Sequence, residues 1–264
     1  MNKLSLRHLR ARHAARGFTL VELMIALLIG LFLTGGLLTL MFAMRRSTAT
    51  QAGLSQLQDD ERMGMSILTN AIQSAGYFPT PYPTNTASTF FLAASPLVAG
   101  QSIYGTHTNS TTPDTLVVRY ATAGTAAAGV KDNTINCAGQ TSTTQKTWTQ
   151  TFNIDTTNNV LRCVLFDGTT TVTLNLITGV TNLQVLYGVQ TGPGIPSNSA
   201  DCYMTADAVN TAGFWPKVVS AMVTLTYVNP LKNQPGQSTA GAAITATIPF
   251  TRVITLMNVT GVDT

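Results

Sequence analysis

Residues 17–29 read GFTLVELMIALLI, and they open an apolar run that continues to Met44. Residues 18–44 carry one charged side chain, Glu22. As an α-helix rising about 1.5 Å per residue, this run is roughly 40 Å long, whereas the hydrocarbon core of a bilayer is about 30 Å thick. A cleavable secretory signal has an apolar region of only about 7 to 15 residues, followed by small residues. The run therefore predicts a membrane-spanning helix over residues 18–44.

The charges are divided sharply at Gly17. Five of the fifteen Lys and Arg residues precede it, and all eleven acidic residues follow it. Only Arg45 and Arg46 flank the far end of the apolar run, so the basic excess predicts a cytoplasmic N-terminus and an extracytoplasmic C-terminal part. Beyond Gly17 the chain has ten basic and eleven acidic groups. The basic balance of the whole chain is therefore no argument for nucleic-acid binding.

Two features distinguish this segment from a simple anchor. Glu22 lies inside the apolar run, where a carboxylate at mid-bilayer costs about 2.5 to 3.5 kcal/mol, and this cost predicts a partner for it. The second feature is the boundary at Gly17 and Phe18, where a polar, basic leader without an apolar stretch of its own meets the hydrophobic helix.

The helical pattern continues beyond the apolar run. An apolar stripe with helical spacing extends to Ile72, and Gly76 followed by Tyr77-Phe78-Pro79 is a strong stop, so we expect a helix over residues 18–76 whose second half packs on a sheet. Residues 77–264 predict a β-rich globular domain with long loops near 80–112, 122–146, 190–214 and 229–242. The candidate strands are Thr115–Ala121, Thr147–Ile154, Val160–Phe166, Thr171–Ile177, Asn182–Val189, Val218–Val228 and Ala243–Met257.

No catalytic, cofactor or metal motif stands out. The three cysteines show no CxxC spacing, and one disulfide with one spare thiol is the simplest count outside the cytoplasm. His107 is the one histidine after Gly17, and we expect it to be a solvent-facing loop residue. The chain lacks GxSxG, HExxH and GxxxxGK, and Asp155-Thr-Thr-Asn-Asn lacks the repeated carboxylates of a calcium loop. The sequence predicts a protein that is not an enzyme and has no cofactor.

The stretch GFTLVELMIALLI resembles the type IV pilin leader motif. The resemblance implies that residues 1–17 are a leader, that a prepilin peptidase cuts between Gly17 and Phe18, and that Phe18 is then methylated. Glu22 is then one helical turn from the new ammonium group. Charge pairing between subunits would stabilise a carboxylate that is costly in the single chain. An uncleaved signal anchor with an incidental glutamate is the alternative.

Several later segments are similar in order and spacing to PilW-type minor pilins. They are SAGYF, PDTLVVRY, NCAG, VLRC, GVTNLQVLYGV, YMTADAV and WPKVVSAMVTLTY. The resemblance implies a pilin-like α+β fold, with a long N-terminal helix packed on an antiparallel β-sheet domain. It also favours a disulfide between Cys137 and Cys163, with the pairing of Cys202 left open. Met257 stands where the family frequently has an arginine, so a role for that arginine is in doubt here.

The resemblance also implies a function. We expect a minor pilin of the pilus tip or priming complex, anchored in the inner membrane with its C-terminal domain in the periplasm and later part of the extracellular pilus. Its expected partners are other minor and major pilins, the prepilin peptidase and the inner-membrane assembly platform, with no nucleic acid. The alternatives are a minor pseudopilin of a type II secretion system and a tip-displayed adhesin.

Overall fold

The structure is a computed structural model that describes residues 17–79, 91–124, 132, 134–192, 199–232 and 245–258. The predicted leader residues 1–16 lie outside the described residues, as do parts of the four predicted loops and the first two residues of the last candidate strand. The chain forms two compact units, Met1–Gln51 and Ala52–Thr264.

Helix α1 comprises Leu20–Ser74. It begins two residues later than the predicted 18–76, because Thr19 lies outside the helix and caps it. It ends two residues earlier, because Gly76 adopts the left-handed conformation at φ +79° that terminates many helices. The Gly76 N–H donates to the carbonyl of Arg119 at 2.9 Å, which directs the chain from the helix to a strand.

The second unit contains nine strands and two short helical segments among the described residues. Five strands form a meander in the order β1-β2-β3-β4-β5, and four form a sheet in the order β7-β6-β8-β9; all pairs are antiparallel. Helix α2 comprises Ala206–Ala212, and a 3-10 helix comprises Trp215–Lys217. The strands are β1 Ile103–Thr106, β2 Thr115–Thr122, β3 Lys146–Asp155, β4 Val160–Phe166, β5 Thr171–Thr178, β6 Val180–Val189, β7 Cys202–Thr205, β8 Val218–Val228 and β9 Thr247–Thr255.

The predicted α+β class, a long N-terminal helix with antiparallel β-structure, is confirmed, with two corrections. The strands are divided between two sheets, whereas one sheet was expected. The predicted loops at 80–112 and 190–214 contain β1, β7 and α2. Because β1 and β7 have four residues each, neither is long enough to show a clear alternation of polar and apolar side chains.

The second unit is held together by one apolar core to which the end of α1 contributes. Leu57, Met65, Leu68 and Ile72 are buried there with apolar side chains from both sheets. Gly64 marks the closest approach: a Cβ at this position would lie 2.7 Å from the hydroxyl of Tyr227 and 3.0 Å from the side chain of Ile177. These two residues belong to different sheets, so α1 packs at the line where the sheets meet.

Candidate functional site

The first turn of α1 is fixed by its own side chains. The backbone N–H of Glu22 donates to the hydroxyl of Thr19 at 3.3 Å, and that of Leu23 donates to the Thr19 carbonyl at 3.2 Å. This is one half of a capping box, whose sequence signal is Thr-x-x-Glu. The apolar run makes Glu22 conspicuous as its one charged residue, whereas Thr19 has no comparable signal in the sequence. The box places the carboxylate in the first helical turn, where the helix dipole favours a negative charge.

Gly17 has no structural reason to be glycine within the described residues. An ideal Cβ at Gly17 would meet no described atom within 4 Å, and its φ is not positive. Phe18, the next residue, is 82% exposed. Neither packing nor backbone conformation therefore excludes a side chain at position 17, so a requirement for glycine would have to come from another molecule.

The apolar part of α1 is uncovered along its whole length. Residues 18–44 are all exposed, and the helix is long and apolar enough to cross a membrane, with a mean hydropathy of 2.4 in its most apolar window. The carboxylate of Glu22 has neither an ion pair nor a hydrogen bond with any described residue. The first unit thus exposes a large apolar surface and a carboxylate that no described residue pairs with.

Three glycines of this apolar segment, like Gly17, have open space where a side chain would be. An ideal Cβ at Gly30, Gly35 or Gly36 would meet no described atom within 4 Å. Each glycine costs the helix about 1 kcal/mol relative to alanine. Small residues at such positions allow close approach of helices in a membrane. No contact within the described chain offsets their cost.

His107 is not a solvent-facing residue, contrary to the expectation from sequence. Its Nδ1 lies 2.8 Å from Oδ1 of Asp114, and the His107 side chain is only 15% exposed. The prediction was wrong because the loop folds back on β6. The Asp114 N–H donates to the carbonyl of Leu183 at 2.8 Å, and Asp114 Oδ2 accepts the N–H of Val185 at 2.8 Å.

Asp114 links the two sheets through hydrogen bonds. Its Oδ1 is engaged by His107 and its Oδ2 by the backbone of β6. Burial raises the pKa of Asp114 above its ordinary value, although hydrogen bonds from Val185 and His107 oppose this effect. Among the described residues, no group of three or more His, Cys, Asp or Glu side chains could hold a metal ion.

The structure contains a disulfide between Cys137 and Cys163, with an S–S distance of 2.00 Å. This is the pair that the family resemblance favoured. Cys163 is a fully buried residue of β4, and Cys137 packs against the same core. Cys202, the first residue of β7, is a half-buried free thiol.

Comparison with known proteins gives two family matches. The family described as "Prokaryotic N-terminal methylation motif" matches residues 12–38, and the family described as "Type IV Pilus-assembly protein W" matches residues 150–248. Among solved structures, the "Type IV-like pilin TTHA1219 from Thermus thermophilus" is 12% identical, with a TM-score of 0.41, over 77% of this chain and 98% of that chain. None of the curated proteins compared with the chain matches it.

The methylation motif covers Gly17, Phe18, Glu22 and most of the exposed apolar segment. The chain is thus a type IV pilin-like protein, a subunit anchored by an apolar helix and associated with a pilus. The second match covers β4 to β8 and parts of the adjoining strands, and the two matches together support a type IV minor pilin. This family membership implies pilin partners and processing by a prepilin peptidase.

Proposed function

We propose that this minor pilin joins the tip or priming complex of a type IV pilus and promotes pilus assembly. The leader of residues 1–17 is removed, and residues 18–44 hold the subunit in the inner membrane in a single pass. The N-terminus faces the cytoplasm, and the globular part of residues 77–264 faces the periplasm until the subunit enters the pilus.

One observation carries the proposal: the first unit has the features of a peptidase substrate and an assembly helix, and its own fold uses none of them. An added Cβ at Gly17 would meet no described atom within 4 Å, the apolar residues 18–44 are exposed, and the carboxylate of Glu22 has no partner among the described residues. Cleavage after Gly17 creates an ammonium group at Phe18. That ammonium group can neutralise the Glu22 carboxylate of a neighbouring subunit, so charge pairing favours the assembled state over the single chain.

The proposed partners follow from these features. The peptidase binds the Gly17–Phe18 boundary, and other minor and major pilins cover the apolar helix. The assembly platform of the inner membrane receives the processed subunit. In this role the chain works through binding and needs no catalytic group of its own.

N-terminal mass spectrometry of the protein from its native membrane tests the proposal. We expect the protein to begin at Phe18 with one added methyl group. The variant Gly17→Leu should stay about 17 residues longer, while the matched control Gly30→Leu should be cut normally, because position 30 has equal space and lies outside the cleavage site. A native protein that begins at Met1 would reject the proposal.

Deletion of the gene distinguishes a role in the pilus from a role in a type II secretion system. Loss of twitching motility with normal protein secretion supports the pilus role. Loss of secretion with normal twitching would assign the chain to a type II secretion system as a minor pseudopilin. A chain that is dispensable for assembly but required for attachment to a surface would be a tip-displayed adhesin.

A further inference from the structure

The free edges of the two sheets are not equally protected. An unpaired strand edge is a template for another strand, and proteins protect edges by short strands, proline, charged side chains or bulges. Strands β1 and β7 are edges of four residues each. The edge strand β9 is longer, but it contains Pro249 and the half-exposed Arg252. Three of the four edges in the described sheets therefore carry a protective feature.

The fourth edge, β5, carries such a feature only near its C-terminal end, where its register with β4 shifts at Leu176. Its eight residues, TVTLNLIT, include no charge and no proline. Leu176 has no partner on β4 because the register shifts there, whereas Thr171–Asn175 pair residue by residue with Arg162–Phe166. No described residue pairs with the other side of β5. Five regular, uncharged residues therefore present a free edge.

The side chains of this free edge alternate between two faces. Val172 and Leu174 lie opposite Leu165 and Cys163, which are buried, so they belong to the core face of the sheet. Val172 is nevertheless 48% exposed, because the sheet ends beside it. The residues Thr171, Thr173 and Asn175 are exposed on the opposite face. An added strand would bury Val172 if it also alternated between apolar and polar side chains.

We infer that the β5 edge pairs with the β5 edge of a second copy of this chain, in antiparallel register about Thr173. In this register Val172 lies opposite Leu174 of the second copy, Thr171 lies opposite its Asn175, and the two Thr173 residues face each other. Apolar residues meet apolar residues on one face, and polar residues meet polar residues on the other. Both copies contribute the same surface, as a two-fold symmetric interface requires.

The register also satisfies the backbone. In an antiparallel pair, every second residue directs its N–H and C=O towards a given neighbour. In the register centred on Thr173, odd-numbered residues of one copy pair with odd-numbered residues of the other, and even-numbered with even-numbered. The backbone N–H and C=O groups that point away from β4 in one copy therefore meet the same groups of the other copy. The absence of charge on β5 means that no like charges oppose each other. This pairing does not depend on whether the subunit has the proposed role at the pilus tip.

Disulfide trapping in native membranes tests the pairing on the full chain. In a Cys202→Ser background, Thr173→Cys places two thiols on facing residues with Cα atoms about 4.5 to 5.5 Å apart, within the range of a disulfide. Thr178→Cys is the matched control on the same strand. In the proposed register, the two copies of residue 178 are ten residues out of alignment, or roughly 34 Å apart.

We expect mild oxidation to shift Thr173→Cys, but not Thr178→Cys, from the monomer to the dimer position on a non-reducing gel. Adding Val172→Lys to Thr173→Cys should return the band to the monomer position, because it puts a charge among the paired apolar side chains. A monomer for Thr173→Cys would overturn the inference, as would equal dimer formation by both cysteine variants. An adduct with a different protein would also overturn it, because the occupant of the edge would then be another subunit.

Discussion

Gly64→Ala tests the contact between α1 and the two sheets. The added Cβ would lie 2.7 Å from the Tyr227 hydroxyl, 3.0 Å from Ile177 Cδ1 and 3.2 Å from Leu225 Cδ1. The first distance is too short for any real contact, so the Tyr227 side chain must move. That hydroxyl donates to the carbonyl of Asp60 at 3.2 Å, and the movement breaks this hydrogen bond.

Three contributions decide the expected loss of stability. Overpacking costs about 1 to 3 kcal/mol. Loss of the Tyr227 hydrogen bond costs about 0.5 to 1.5 kcal/mol. Alanine stabilises the helix by about 1 kcal/mol relative to glycine. The net loss is about 0.5 to 3.5 kcal/mol, and a loss of about 2 kcal/mol lowers the Tm of a unit of this size by roughly 4 to 8 °C.

Thermal unfolding of the full chain in detergent, followed by circular dichroism, measures the effect. Gly53→Ala is the matched control on the same helix, because its Cβ would meet only the ring of Pro230, at 3.2 and 3.6 Å. The gain in helix propensity there offsets a small adjustment, and we expect a stability within about 1 kcal/mol of wild type. If Gly64→Ala is as stable as Gly53→Ala, the proposed close packing of α1 on the sheets is refuted.

Three further predictions concern the anchor and the globular unit. Glu22→Ala should be cleaved normally but enter filaments poorly, as pilus isolation and immunoblotting would show; normal incorporation would remove the electrostatic role of Glu22. Replacing Cys137 and Cys163 together by serine should lower the free energy of unfolding by about 3.5 kcal/mol, since the bridge closes a loop with a sequence separation of 26, and denaturant titration of oxidised and mutant protein checks this. The Lys146 ammonium, 2.7 Å from Asp167, holds the pKa of that carboxyl well below its usual range. A carboxyl whose pKa is lower in the folded than in the unfolded state, where it is about 3.9, stabilises the fold at pH values above the unfolded pKa. Lys146→Met should therefore have a lower Tm than wild type at pH 7, and the difference should become smaller below about pH 4. A difference in Tm that does not change with pH would contradict this account.

The sequence predicted those parts of the fold that depend on long local patterns. The helix and the seven longer strands were visible because their apolar periodicity extends over seven or more residues. Strands β1 and β7 were missed because they are short and because β1 contains Gly105. This glycine is required by tertiary structure, since a Cβ there would lie only 2.0 Å from the hydroxyl of Tyr187 on β6. Such a contact between distant segments leaves no periodic signal in the chain.

The burial of Arg119 also depends on contacts between distant segments, which the sequence pattern does not show. A charged side chain in the strand sequence TLVVRYAT gives no sign of burial, yet Arg119 is only 2% exposed. Its guanidinium donates to the carbonyls of Leu92, Val98 and Gln101 at 2.5 to 3.1 Å, so the segment that follows residue 90 covers this side of β2. A strand pattern gives the side of the sheet on which a residue lies, but it does not show what else covers that side.

The glycines of α1 are of two kinds: one is required by packing within the chain, and three are not. Gly64 is required by the chain itself, because the side chains of Ile177, Leu225 and Tyr227 occupy the space where a Cβ would be. Gly30, Gly35 and Gly36 have open space around them, and each weakens the helix by about 1 kcal/mol without any contact in the described chain that repays the cost. A helix selected only for the stability of the single chain would have lost these three glycines to alanine. Their presence in the bare apolar segment is expected if that segment is shaped to pack against other helices.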